Sequence, residues 1–337
     1  MPSKFIGLLR SRNILTACLA SCAVAACGNA PGLTITPTFD STITGDQNHS
    51  AIESTINSAI SVYEQDFSNP INVPITFSEM SGTTELGQSM SAHAMVGYSA
   101  FRSALAAEPT SSVRATALQY LPNQANEPVP NTTGTELWMT AANVNALVGS
   151  GNLPSSYTQT GNNGYVSLNT SQTYTGAGSV GPQGNYSLET VVMHEIDEVL
   201  GLGSALPSYT TGSFPMPEDL YRYAADGTRS FSTSATGSVY FSLNGTTDLA
   251  QFNNTNNGGD YGDWASNPLP AGASPQVQDA FITGGQNITL GSNEFAALQA
   301  IGYVQVPDPA TIALLAGGLL AALTLSPRKK STRYNAA

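Results

Sequence analysis

A chain of 337 residues with 41% hydrophobic content has apolar material for a sizeable core, yet charged residues make up only 10%, far below the usual quarter. Seven of the 11 Lys and Arg lie before residue 31 or after residue 306, so the body between carries four arginines, no lysine and 22 of the 23 acids. Such a body repels phosphate backbones and anionic lipid, which argues against nucleic-acid binding, and with Cys18, Cys22 and Cys27 all near the start it has neither a disulfide framework nor a thiolate metal site.

Lys4, Arg10 and Arg12 precede an apolar run from Ile14 to Ala26 and small residues near Asn29-Ala30, the layout of a secretory signal peptide over residues 1–30. The run is short for a membrane span. Val24-Ala25-Ala26-Cys27 loosely resembles a lipobox, so lipidation at Cys27 is an open alternative.

Leu33 to Asp40 alternates like a strand. Ile52, Ile56, Ile60 and Tyr63 predict a helix over 51–67, entered from Asn48 or through a Ser50-x-x-Glu53 capping box. Val73–Phe77 reads as a strand, 100–107 and 113–121 as short helices, and 122–134 as a Pro/Asn-rich loop. Leu137–Thr140 and a strand over Gly164–Asn169, entered from Asn163-Gly164, follow. A Gly/Ser/Thr-rich loop over 170–183 then leads to a helix near 187–202. Further on, 238–243 and 246–252 predict a hairpin through Asn244-Gly245, and 293–301 a last helix. The mixture indicates a single α+β domain over 31–303.

The most informative stretch is His194-Glu195-Ile-Asp197-Glu198-Val-Leu-Gly201-Leu-Gly203-Ser204. His194 and Glu198 are four residues apart, so a helix places both on one face within reach of one ion, with Glu195 one step round. Val192, Ile196 and Val199 fall on the other side, and Gly201 and Gly203 allow a sharp turn at the end. A plain solvated polar face is the alternative for this spacing.

The same stretch looks like the metzincin HExxHxxGxxH helix with Glu198 and Ser204 in place of the second and third histidines, and Phe214-Pro-Met216-Pro resembles a Met-turn. With Met216–Tyr223, Val239–Leu243, Gly259–Trp264 and Leu298–Tyr303, the chain resembles a family of zinc metalloproteases that often carry a PEP-CTERM tag. The resemblance implies a zincin-like catalytic domain with a mixed sheet, an active-site helix and a C-terminal hairpin and helix. It implies His194 and Glu198 as zinc ligands and Glu195 as the catalytic base of a peptide-bond hydrolase. Ser204 is a poor ligand, so Asp219 is the candidate for the third place, with Asp260 and Asp263 behind it; Asp219 also suits a turn cap or a pair with Arg222. One nitrogen among oxygens selects zinc only weakly against manganese or calcium, and the Asn/Asp/Gly loop 253–263 is a second candidate for calcium. His49 suits a helix start, and His93 stands outside any motif.

At the far end, Val306-Pro-Asp308-Pro precedes the uncharged, mainly apolar run 310–325, then Arg328-Lys329-Lys330. Sixteen helical residues span roughly 24 Å, just short of a hydrocarbon core, and the basic cluster marks a cytoplasmic flank. The order resembles the PEP-CTERM sorting signal, with Asp308 for the usual Glu, over 304–337. It implies a bacterial protein exported to the surface or medium, transiently membrane-anchored and processed by an exosortase-type enzyme. The expectation is therefore a secreted metal-dependent endopeptidase acting on protein or peptide substrates. The alternative is a catalytically inactive zincin-like surface or matrix protein exported by the same route.

Overall fold

The computed structural model describes residues 32–122, 136–176, 178, 185–207, 214–234 and 237–307. The expected signal peptide, the 123–134 part of the Pro/Asn-rich loop and the apolar run 310–325 lie outside the described residues. No helix among the described residues is long and apolar enough to cross a membrane.

The fold is α+β, built around a mixed four-stranded sheet. Its strands are β1 (Thr34–Phe39), β2 (Asn72–Glu79), β3 (Gly87–Ser91) and β6 (Gly164–Leu168), in the order β1-β2-β6-β3. The first three in that order run parallel, with Ile35 opposite Val73 and Phe77 opposite Val166; β3 closes the edge antiparallel, with Ser89 opposite Val166. Alternation puts Val73, Ile75 and Phe77 of β2 into the core. The short helix α1 (Ser41–Thr44) follows β1, capped by Asp40, which accepts from Thr42 N.

Helix α2 (His49–Asp66) buries Ile52, Ile56, Ala59, Ile60 and Tyr63 along one stripe, the spacing expected of an amphipathic helix. It starts at His49, before the predicted Ser50 box, and its N-cap Asn48 makes no side-chain cap bond. His49 is exposed, with Nδ1 2.9 Å from the Asp46 carbonyl.

Two strands that sequence patterning did not predict, β3 and β4 (His93–Gly97), stand on either side of Ala92. The second pairs with β5 (Glu136–Thr140), Ala94 opposite Met139. Helices α3 (Tyr98–Ala107) and α4 (Ser112–Tyr120) fall where expected. Helix α5 (Ala141–Gly149), also unpredicted, is capped by Thr140, whose hydroxyl accepts from Asn143 N at 3.2 Å. Short strands β7 (Thr173–Tyr174) and β8 (Tyr186–Ser187) lead into the central helix α6 (Leu188–Leu200).

Beyond α6, β9 (Arg222–Ala224), β10 (Val239–Phe241) and β11 (Ala250–Gln251) form a small antiparallel sheet ordered β11-β10-β9. The predicted hairpin between β10 and β11 is real, but its turn is not the tight Asn244-Gly245 one. With Phe241 opposite Ala250, the connection runs over residues 242–249, and Asn244 Oδ1 accepts from the backbone of Thr246 and Thr247 within it. Helix α7 (Ser292–Ile301) closes the fold. The chain stays attached to the end of α2 as far as Val306: Ser68 N donates to Val304 O at 2.9 Å and Val306 N to Asp66 O at 2.8 Å. Packing thus runs a little past the expected boundary at 303.

Candidate metal centre

Helix α6 starts and stops where its sequence says it should. The Ser187 hydroxyl accepts from Thr190 N at 3.2 Å, and Gly201 ends the helix in the left-handed region at φ 119°. Glu189 sits in the first turn, where the helix dipole favours an anion, and accepts from Ser58, Asn287 and Gly178 N.

The apolar side packs inward as expected, and the opposite side, which carries His194 and Glu198, is covered rather than solvated. Nearly every residue of α6 is buried, Glu195 and Asp197 included. Sheet, helices and later loops surround it. Gly164 of β6 lies so close that a β-carbon there would overlap Val199, and one at Gly87 of β3 would overlap Glu195 Oε1 and Val191 Cγ1. Two tyrosine hydroxyls, Tyr63 and Tyr303, donate to the carbonyls of Met193 and Leu200 at 2.7 and 2.8 Å. They hold the helix at fixed depth. Burial raises the Asp197 carboxyl well above the usual range, and the Tyr63 hydroxyl, which donates to it at 3.0 Å, opposes the shift.

His194, Glu195 and Glu198 converge where α6 meets β3. Each offers one ligand atom, and these lie within 4.8 Å of one another, so the cluster could hold a metal ion. His194 Nδ1 stands 2.9 Å from the Val277 carbonyl, to which it donates, and this turns Nε2 toward the acids. That nitrogen is 3.8 Å from Glu198 Oε1 and 3.8 Å from Asp263 Oδ1. Glu198 Oε2 accepts from the Ser89 hydroxyl at 2.6 Å. Glu195 lies beside Glu198, and its Oε2 is buried and has no partner.

These residues line an open cleft of about 540 Å³, walled by β3 on one side and by loops 257–263 and 279–282 on the other. Six carboxylates line it (Glu85, Glu195, Glu198, Asp260, Asp263, Asp279) and no Lys or Arg does. Burial pushes Glu195 well above the usual carboxylate range, with Glu198 adding to it and His194 opposing; burial raises Glu198 as well, again against His194. Burial also carries Asp263 up to about 8, and His194 opposes it. Burial alone would lower the imidazole, but Asp263, Glu198 and Glu195 outweigh it and carry His194 up to about 10.

Neither Asp219 nor Asp263 belongs to this group of three; Asp263 lines the cleft beside it and Asp219 does not. The Asp219 carboxylate accepts from Ser204 Oγ (2.5 Å), Met216 N (2.9 Å) and Ala205 N (3.1 Å), tying the chain after α6 to the turn before β9. Met216 itself packs under Gly203. In loop 253–263, Asn253 and Asn257 bond each other. His93 stacks on Trp138 at 3.9 Å, away from the cluster. Sequence reasoning missed Gly87, Ser89, Asp279 and the Val277 carbonyl; none carries a local signal, since each matters only through its contact with α6 or its place in the cleft.

No protein-family model, no curated protein and no solved structure matches this chain.

Proposed function

We infer that the protein is an exported, zinc-dependent endopeptidase of zincin type, with His194 and Glu198 as metal ligands and Glu195 as the general base. The observation that carries this reading is the convergence of three ligand atoms within 4.8 Å at the floor of a cleft, one belonging to Glu195, whose other oxygen is buried without a partner. The donor set suits a divalent cation: an imidazole nitrogen turned toward carboxylates, with no competing Lys or Arg among the described residues of the cleft. Such an ion supplies Lewis acidity toward a carbonyl oxygen and toward water.

The chain's own groups supply the rest. Ser89 orients Glu198 through its hydroxyl. Glu195, beside the ligand atoms of His194 and Glu198, accepts the proton of the attacking water and returns it to the departing amine. An extended peptide suits the cleft because β3, which lines it, is the sheet edge and among the described residues has a strand neighbour only on its β6 side. A peptide laid along that edge gains main-chain hydrogen bonds. Residues 1–30 and 304–337 are the export and sorting addresses, directing the product to the cell surface or outside, with an exosortase-type enzyme as processing partner.

The deciding comparison is between wild type and Glu195→Gln in a peptide-library cleavage assay, with bound metal measured in parallel. The amide cannot accept the proton, so hydrolysis drops by about 10²–10⁴-fold while the metal stays. An undiminished rate in Glu195→Gln removes the catalytic assignment. Absence of cleavage by wild type favours the inactive surface protein.

A further inference from the structure

We propose that Asp263 is the third protein ligand of the metal centre, supplied by a distant loop in the place that Ser204 leaves unfilled. The proposal rests on the metal-dependent reading of the cleft and adds the residue that completes its coordination.

The spacing is the first support. His194 Nε2 stands 3.8 Å from Asp263 Oδ1 and from Glu198 Oε1 alike. An imidazole that simply hydrogen-bonded one of these acids would sit at about 2.7–3.2 Å. Two ligands on a tetrahedral ion with bonds of about 2.0–2.1 Å stand roughly 3.4 Å apart. Both are ion-pair separations, too long for a hydrogen bond and close to what an ion between the groups requires.

Burial is the second. Asp263 is only 4% exposed, and no Lys or Arg lines the cleft to neutralise it. Its cationic neighbour in the cleft is the His194 ring at 3.8 Å, and a buried carboxylate is stabilised by such pairing or by a metal ion. Glu195 Oε2, buried and unpartnered in the same cleft, marks the same unmet demand.

Positioning is the third. Asp260 N donates to Asp263 Oδ2 at 3.1 Å, and Gln278 Nε2 to Oδ1 at 3.3 Å. Gln278 follows Val277, whose carbonyl orients His194, so one short segment aims both groups. Outer contacts of this kind are what hold metal ligands in place. The loop reaches the helix end because Gly262 packs on Gly203 and Ser204 so tightly that a β-carbon at 262 would overlap Gly203 Cα. Ser204 is meanwhile spent on Asp219.

The test uses the full chain in mild detergent with zinc and cobalt(II) as probes. Asp263→Asn keeps the shape and an acceptor for the loop, yet should weaken zinc binding by at least about 100-fold, beyond the roughly 10–100-fold typical of a group behind a ligand. Asp260→Asn, a neighbouring carboxylate in the same cleft, should bind as wild type does. In Asp263→Cys, cobalt(II) should give a thiolate charge-transfer band in the near ultraviolet above the wild-type baseline, which includes any signal from Cys18, Cys22 and Cys27. Wild type that binds one ion, with Asp263→Asn unchanged or Asp263→Cys lacking the band, overturns the proposal and leaves His194 and Glu198 standing. Wild type that binds no ion overturns both.

Discussion

The carboxylate of Glu195 on α6 fills the space where a β-carbon at Gly87 on β3 would stand. The edge strand and the helix touch at the group assigned to proton transfer, so the smallest side chain at position 87 sets the room in which Glu195 sits. Gly87→Ala should force Glu195 and Val191 aside, and displacement of a catalytic group by about 1 Å can cost on the order of 10²-fold in rate. Cleavage kinetics with metal content in parallel should show the rate falling while the ion stays. A variant with wild-type kinetics would mean that the contact does not constrain Glu195.

Asp219 is bonded as a fastener, and its variants should behave as such. Asp219→Ala strips acceptors from Ser204, Ala205 and Met216 in a buried turn, which costs at least about 1–3 kcal/mol. Urea denaturation should show that loss, with zinc affinity of the folded protein retained. Metal loss without destabilisation would return Asp219 to the ligand list.

Asp279 lines the cleft with a buried oxygen that has no partner. Burial raises its carboxyl to about 7, opposed by the Gln276 N–H. The folded state therefore holds this proton more tightly than the unfolded chain. Its contribution to stability is full at acid pH and is lost as pH rises through about 7. Asp279→Asn keeps an acceptor for Gln276 N and removes the titration. Calorimetry across that range should show a smaller fall in Tm for the variant than for wild type; parallel curves would contradict this.

The last backbone bond before the tail joins Val306 N to Asp66 O, so deleting residues 310–333 leaves the described packing untouched. Thermal stability should be retained while the compartment of accumulation changes. Identical fractionation of truncated and full-length protein in the native host would remove the sorting assignment.

Local regularities were legible in the residues alone. Ser187 and Gly201 bracket α6, and the four-residue step from His194 to Glu198 brings both to one site, because a helix converts sequence spacing directly into a shared face. The alternation of Val73, Ile75 and Phe77 gave β2 for the same reason. Strand β3 was invisible, because Gly87-Gln-Ser-Met-Ser has no apolar alternation and takes its conformation from pairing with β6.

That α6 is buried on nearly all sides could not be read from its own residues, since it depends on what packs over His194 and Glu198. Ser89 reaches Glu198 across 109 positions of sequence, and the Val277 carbonyl meets His194 across 83. The choice between Asp219 and Asp263 at the cluster was likewise open in the sequence. Only the tertiary structure sends one carboxylate to a turn and the other to within 3.8 Å of His194, because contacts between distant loops have no periodicity to betray them.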